Sequence, residues 1–149
     1  MSDDRVSDSV SGDVRGGETD LARLLATLAP TLDAETYVFC TVSESAWAGL
    51  QAGVSPIATF REDEGVSLVL SRDDAVGAGL AFRGTFRRIT LRVYSSLHAV
   101  GLLAAVTAAL ANAGISANAV AAFYHDHLFV PSGRADEAIG VLDALSDGR

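Results

Sequence analysis

The chain has 149 residues, 49% of them apolar and 20% charged, with a formal net charge of −8. That composition supports one compact domain or two very small ones. All eleven basic residues are Arg; without Lys there is no Schiff-base chemistry and no P-loop lysine, and the acidic balance argues against a nucleic-acid partner. No apolar run approaches the roughly 20 residues that span a bilayer. Residues 1–18 lack the basic and apolar regions of a secretory signal, so a cytoplasmic protein with no membrane partner is expected. A lone cysteine, Cys40, excludes an internal disulfide framework and a Cys-rich zinc site; within an apolar run it reads as a small buried hydrophobe. An acidic chain rich in Ala and Val and free of Lys also fits a halophilic or high-GC source, whose fold gains stability as salt screens its carboxylates.

Taken in chain order, residues 1–18 read as a disordered acidic tail. Asp20 caps a first helix with the stripe Leu21, Leu24, Leu25 and Leu28, stopped by Pro30. A strand follows over residues 36–42, rich in β-branched and aromatic residues. Ser43 caps a short helix containing Trp47 and Leu50 and ending at Gly53. Strands over residues 57–61 and 66–70 flank the acidic turn Glu62-Asp63-Glu64-Gly65. Ser71 then opens a short helix weakened by Gly77 and Gly79. Gly77-Ala78-Gly79 lacks the spacing and the preceding strand of a phosphate loop.

The second half is more regular. Over residues 88–94, Ile89, Leu91 and Val93 share one face of a half-buried strand. Arg87 and Arg88 can hold an anion, although a solvated strand face is the simpler reading. Ala99, Leu103, Val106, Leu110 and Ala113 form a helical stripe that ends at Gly114. A strand over residues 115–124 reaches a turn at His125-Asp126, and residues 128–130 return. In the last helix Ala135, Ala138, Ile139, Leu142 and Leu145 face inward, with Asp136 and Glu137 at its positive end.

The two halves echo one another. Ser43 to Leu50 lies over Ser95 to Leu102 without gaps, with Ser, Gly and Leu coinciding. Residues 72–76 echo residues 134–139 with one insertion. The matches fall at matching points of the strand and helix order, as a repeat requires.

With its helix running from Gly101 into Ala113-Gly114-Ile115 and a strand, the stretch GLLAAVTAALANAGISANAV resembles the ACT domain. Over residues 20–149 the chain is similar to proteins built of two ACT units. The resemblance implies an α+β, ferredoxin-like fold: two βαββαβ units over residues 19–84 and 85–149, with antiparallel sheets and helices on one face, and an opening strand available for sharing. It also implies a regulatory module that binds an amino acid or similar small effector, forms a homodimer and contacts a regulated enzyme or regulator.

ACT effectors lie where two domains meet, held by the loop before the first helix of one against the second strand of the other. Here the resemblance assigns that loop to Ser95, Ser96, Leu97, His98, Ala99, Val100 and Gly101, with Ser43 to Gly49 as its counterpart in the first half. The facing strand residues are Ile115, Ser116 and Asn118, and Ile57, Thr59 and Phe60. A helix N-terminus there suits a carboxylate, and Gly lets a ligand approach the backbone. The loop departs from the family pattern Asp-x-Pro-Gly, with His98 at the Asp position and Val100 at the Pro position.

Three functions follow in order. The first is a non-enzymatic effector sensor without a cofactor. The second is an interaction protein that dimerises through sheet edges and ignores effectors. The third is a metal-dependent enzyme using His125 and His127 with Asp63 or Glu64. A polar hairpin tip explains His125-Asp126-His127 more simply, and no nucleophile–base pair can be placed.

Overall fold

The computed structural model describes residues 19–149; the tail expected over residues 1–18 lies outside them. Helix α1, Leu21–Ala26, is capped by Asp20, whose Oδ1 accepts the Arg23 N–H at 3.0 Å. The helix stops before Pro30, which instead opens strand β1, Pro30–Val42, a place in a strand that proline tolerates. Helix α2, Glu44–Leu50, follows Ser43, and the hairpin of β2, Ala58–Glu62, and β3, Gly65–Ser71, turns on Asp63 and Glu64. Helix α3, Arg72–Gly77, is capped by the Ser71 hydroxyl. Strand β4, Phe86–Leu91, helix α4, Leu102–Asn112, strands β5, Asn118–Ala121, and β6, Asp126–Pro131, and helix α5, Ala135–Ser146, complete the order.

The strands form one antiparallel sheet of six in the order β2-β3-β1-β4-β6-β5. Each half therefore borrows its fourth strand from the other. β4 opens the second unit and closes the first, while β1 opens the first and lies beside β4 in the second.

At 13 residues, β1 is longer than its local sequence suggests. Asp33, Ala34 and Glu35 are poor strand formers, and what holds its first third extended is β4. Pro30, Thr31 and Leu32 pair with Leu91, Thr90 and Ile89. The register then shifts between Leu32 and Thr36, and from Tyr37 to Val42 the strand also pairs with β3. The bulge exposes the Asp33 carbonyl to the Arg87 guanidinium, at 2.9 and 2.6 Å from its Nε and Nη2. It also presents the Asp33 carboxylate to Arg88 at 2.6 Å. Arg87 and Arg88 are thus clamped onto the bulge rather than standing on a solvated face.

All helices cover one face of the sheet. Under the first unit Val38, Cys40, Leu68 and Leu70 pack with α2 and α3; burial pushes the Cys40 thiol pKa up, away from nucleophilic use. Under the second unit Ile89, Leu91, Leu128 and Val130 pack with α4, α5 and Leu24 and Leu28 from the α1 region. The sheet curls so that Phe60 and Val120, on opposite edge strands, line the same hollow. Within that concave face Tyr37, Val69 and Phe129 are buried among Phe39 and Phe86.

Four boundaries of the second half differ from the sequence expectation, the first being β4, which ends at Leu91 rather than at residue 94. Helix α4 begins at Leu102, leaving Ala99 in an irregular loop. Gly114, at φ 70°, stops the helix, and the Ile115 N–H returns to the Leu110 carbonyl. Residues 115–117 thus serve the helix end, and β5 is only four residues long. Finally, Asp126 lies inside β6 rather than in the turn.

Candidate functional site

Ten residues, 92–101, separate β4 from α4, whereas Ser43 alone separates β1 from α2. The longer connection folds on itself. Ser96 Oγ accepts the His98 N–H at 3.1 Å, and the Ala99 N–H returns to the Ser96 carbonyl at 2.9 Å. Gly101 then takes φ 97°, a conformation that L side chains avoid. The Ala105 N–H is the first in α4 to find an in-helix carbonyl, that of Gly101. The amides of Leu102, Leu103 and Ala104 are left to face whatever occupies the loop.

These groups enclose a cavity of about 150 Å³. Ser95, Ser96, Leu97, Ala99 and Gly101 line it together with the first turn of α4, Ala121 of β5 and Asp126 of β6. The Asp126 carboxylate faces this interior although the residue is only 8% exposed. Burial pushes its pKa above the ordinary carboxylate value, while a 3.4 Å hydrogen bond from Ser95 Oγ and the charge of His125 pull it back. Leu97, in the cavity wall, is exposed, as are Val100, Phe123 and Tyr124, and Tyr94 and Phe123 pack on the Tyr124 ring.

The other residues singled out in the sequence lie apart from this cavity. His98 is exposed and Val100 is 84% exposed, neither lining it. Ile115 is buried in the core of the second unit, and Ser116 and Asn118 are exposed beyond the cavity lining. Ile57 precedes β2, at the far edge of the sheet, and Thr59 and Phe60 line a separate hollow of about 340 Å³ with Phe39, Val69 and Val120. In the first unit Ser43 spends its hydroxyl on capping α2, accepting the Ala46 N–H, and no loop remains there.

The sequence reading puts Asp126 in a turn and so gives it no part in the site. A signal did exist: Asp126, Leu128 and Val130 alternate, so an acid lies on the core face of β6. Gly101, which lines the cavity, also abuts α1. A Cβ there would lie 3.2 Å from Leu21 Cδ2, so the missing side chain also makes room for α1. A bulky residue at 101 would strain the loop itself, and Ser95 and Asp126 are the cleaner probes of the cavity.

His125, Asp126 and His127 do not converge. His125 Nδ1 lies 3.3 Å from the Val93 carbonyl, whereas His127 Nδ1 lies 2.9 Å from Thr90 Oγ1 on the opposite sheet face from Asp126. Among the described residues no three His, Cys, Asp or Glu side chains are placed to hold a metal ion.

Two matches to the ACT domain family cover the chain in tandem, over residues 16–87 and 86–144. The chain is a tandem ACT-domain protein. A crystal structure from Vibrio cholerae, of a protein of unknown function described as a possible transport protein, is 46% identical to it. That structure has a TM-score of 0.73, with 85% of this chain and 95% of that chain covered. Two regulatory subunits of aspartate kinase share the fold. The one from Thermus thermophilus, in ligand-free form, has 10% identity and a TM-score of 0.66 over 80% of this chain and 97% of that one. The one from Thermus flavus has 12% identity and a TM-score of 0.63 over 78% and 95%. No curated protein matches the sequence. ACT domains are regulatory modules that bind small molecules, and this tandem ACT protein is built as one. Among the described residues no helix is long and apolar enough to cross a membrane.

Proposed function

We propose that the tandem ACT protein senses a small α-amino acid in the cavity of its second unit. The observation that carries this reading is the pairing of Asp126 with the N-terminus of α4 across one small cavity. A zwitterion presents one charge to each. Its ammonium meets the Asp126 carboxylate and the Ser95 hydroxyl, and its carboxylate meets the free amides of the first turn. Asp126 thereby supplies, from β6, the acid that the loop lacks at His98. A volume of about 150 Å³ is that of roughly five waters, and Ala99, Leu103, Ala104 and Ala121 leave room only for a short apolar side chain.

Leu97 of the cavity wall is exposed, together with Val100 of the same loop and with Phe123 and Tyr124. A second copy seated there would close the cavity, so the ligand shifts the equilibrium between paired and unpaired units and, through it, a partner enzyme or regulator. The same exposed apolar residues also favour a second reading, a dimerisation protein that needs no effector.

Thermal unfolding in high salt against a panel of amino acids and nucleobases separates the two. A ligand at about 100 times its Kd adds about 2.7 kcal/mol. A small amino acid is expected to raise Tm and to change the size measured by light scattering. A dimer indifferent to every compound would leave only the second reading.

A further inference from the structure

The concave face of the sheet carries a second polar site, remote in character from the cavity at α4. Register places Thr31, Thr90 and His127 side by side on β1, β4 and β6. Arg88 and Arg92 lie two residues to either side of Thr90, and alternation puts them on the same face. Thr90 is buried, at 5% exposure, and its Oγ1 lies 2.9 Å from His127 Nδ1. Above it opens a hollow of about 330 Å³, lined by Thr31, Asp33, Arg88, Thr90 and Arg92 with Leu32 and Ala34.

Two guanidinium groups face one carboxylate there. Arg88 is shared with Asp33 at 2.6 Å and rests over the Tyr37 ring, and its Nε is buried without an acceptor. Arg92 donates its Nε to Thr31 Oγ1 at 3.1 Å and has no carboxylate partner among the described residues. In a chain of net charge −8, this is a local cationic surplus. His127 senses it: burial lowers its pKa first, and Arg88, His125 and Arg92 lower it further.

We infer that this hollow binds a small oxyanion, a carboxylate or phosphate group seated over Thr90 between Arg88 and Arg92. The Thr31 hydroxyl donates to the Thr90 carbonyl at 3.5 Å and holds the Arg92 Nε, and Arg92 supplies the free terminal nitrogens that match an anion's oxygens. Asp33 already shows that Arg88 donates to a carboxylate at this position. The site straddles the strands that the two ACT units exchange, beside the β1 bulge, so its occupant touches both units at once.

The test follows the His127 imidazole by NMR while the full chain is titrated with inorganic phosphate or succinate at constant ionic strength. An oxyanion at this site offsets the nearby cations, so His127 is expected to titrate at higher pH as either anion saturates. Arg92→Gln should weaken that saturation by about tenfold or more, the scale of one charged hydrogen bond, without altering Tm, whereas Ser95→Ala should leave it unchanged. Saturation by phosphate alone assigns a phosphoryl ligand, and by succinate alone a carboxylate. A His127 response that never saturates, or that saturates equally in Arg92→Gln, overturns the site whatever the amino-acid panel shows.

Discussion

Asp126→Asn is expected to weaken amino-acid binding by about 2–5 kcal/mol, the cost of losing one member of a buried charge pair. The unliganded variant at neutral pH should be at least as stable as the parent. Burial raises the pKa of Asp126 above its ordinary value of 3.8. An acid shifted in that direction favours the fold below its unfolded pKa, and that contribution is lost as pH rises through the folded value. At neutral pH the ionised carboxylate is therefore a burden that a bound ammonium would relieve. Asparagine keeps the shape, removes the charge and still accepts from Ser95. Calorimetric titration and thermal unfolding of both proteins check the two halves together. An Asp126→Asn protein that responds to amino acids like the parent would remove Asp126 from the site.

Phe129→Ala should cost about 3–5 kcal/mol, as large-to-small changes of buried aromatics do, and lower Tm by roughly 10–15 °C. Phe129 is 2% exposed although it stands on the sheet face without helices. Its ring meets Tyr37 and Phe39 edge-to-face at 5.8 and 5.5 Å. Those partners lie on β1, across β4 from β6, so the contact joins strands that belong to different units. Because each unit takes its fourth strand from the other, the variant should still melt in one transition. Two resolved transitions would show that the units fold independently and that the shared strands matter little.

Much of the molecule was legible locally. Asp20, Ser43 and Ser71 stand before their helices and accept the N–H three residues on, because capping needs only a short polar side chain and a turn of chain. Gly114 ends α4 for an equally local reason, its φ of 70°. The alternation of Ile89 and Leu91 reported a buried strand face that the structure contains, with Val93 buried just past the end of β4.

The candidate site was legible only where it is contiguous. Residues 95–101 could be picked out as a loop before a helix, and five of the seven line the cavity. The acid that gives this cavity its charge comes from 31 residues away in sequence relative to Ser95. Nothing local joins the two, since only the β4–β6 pairing brings them together.

By itself, then, the sequence determined the two-unit repeat, the helix caps and stops, the inward faces of the second half and the loop before α4. These follow from periodicity and from bonds that span four residues or fewer. Tertiary structure alone decided that β1 runs on to Pro30, that Asp126 meets Ser95, and that Arg88 meets Asp33 while Thr90 meets His127. Each of these is a strand-pairing result: a residue gains its partner from register across the sheet, and register is set by which faces the whole fold can bury.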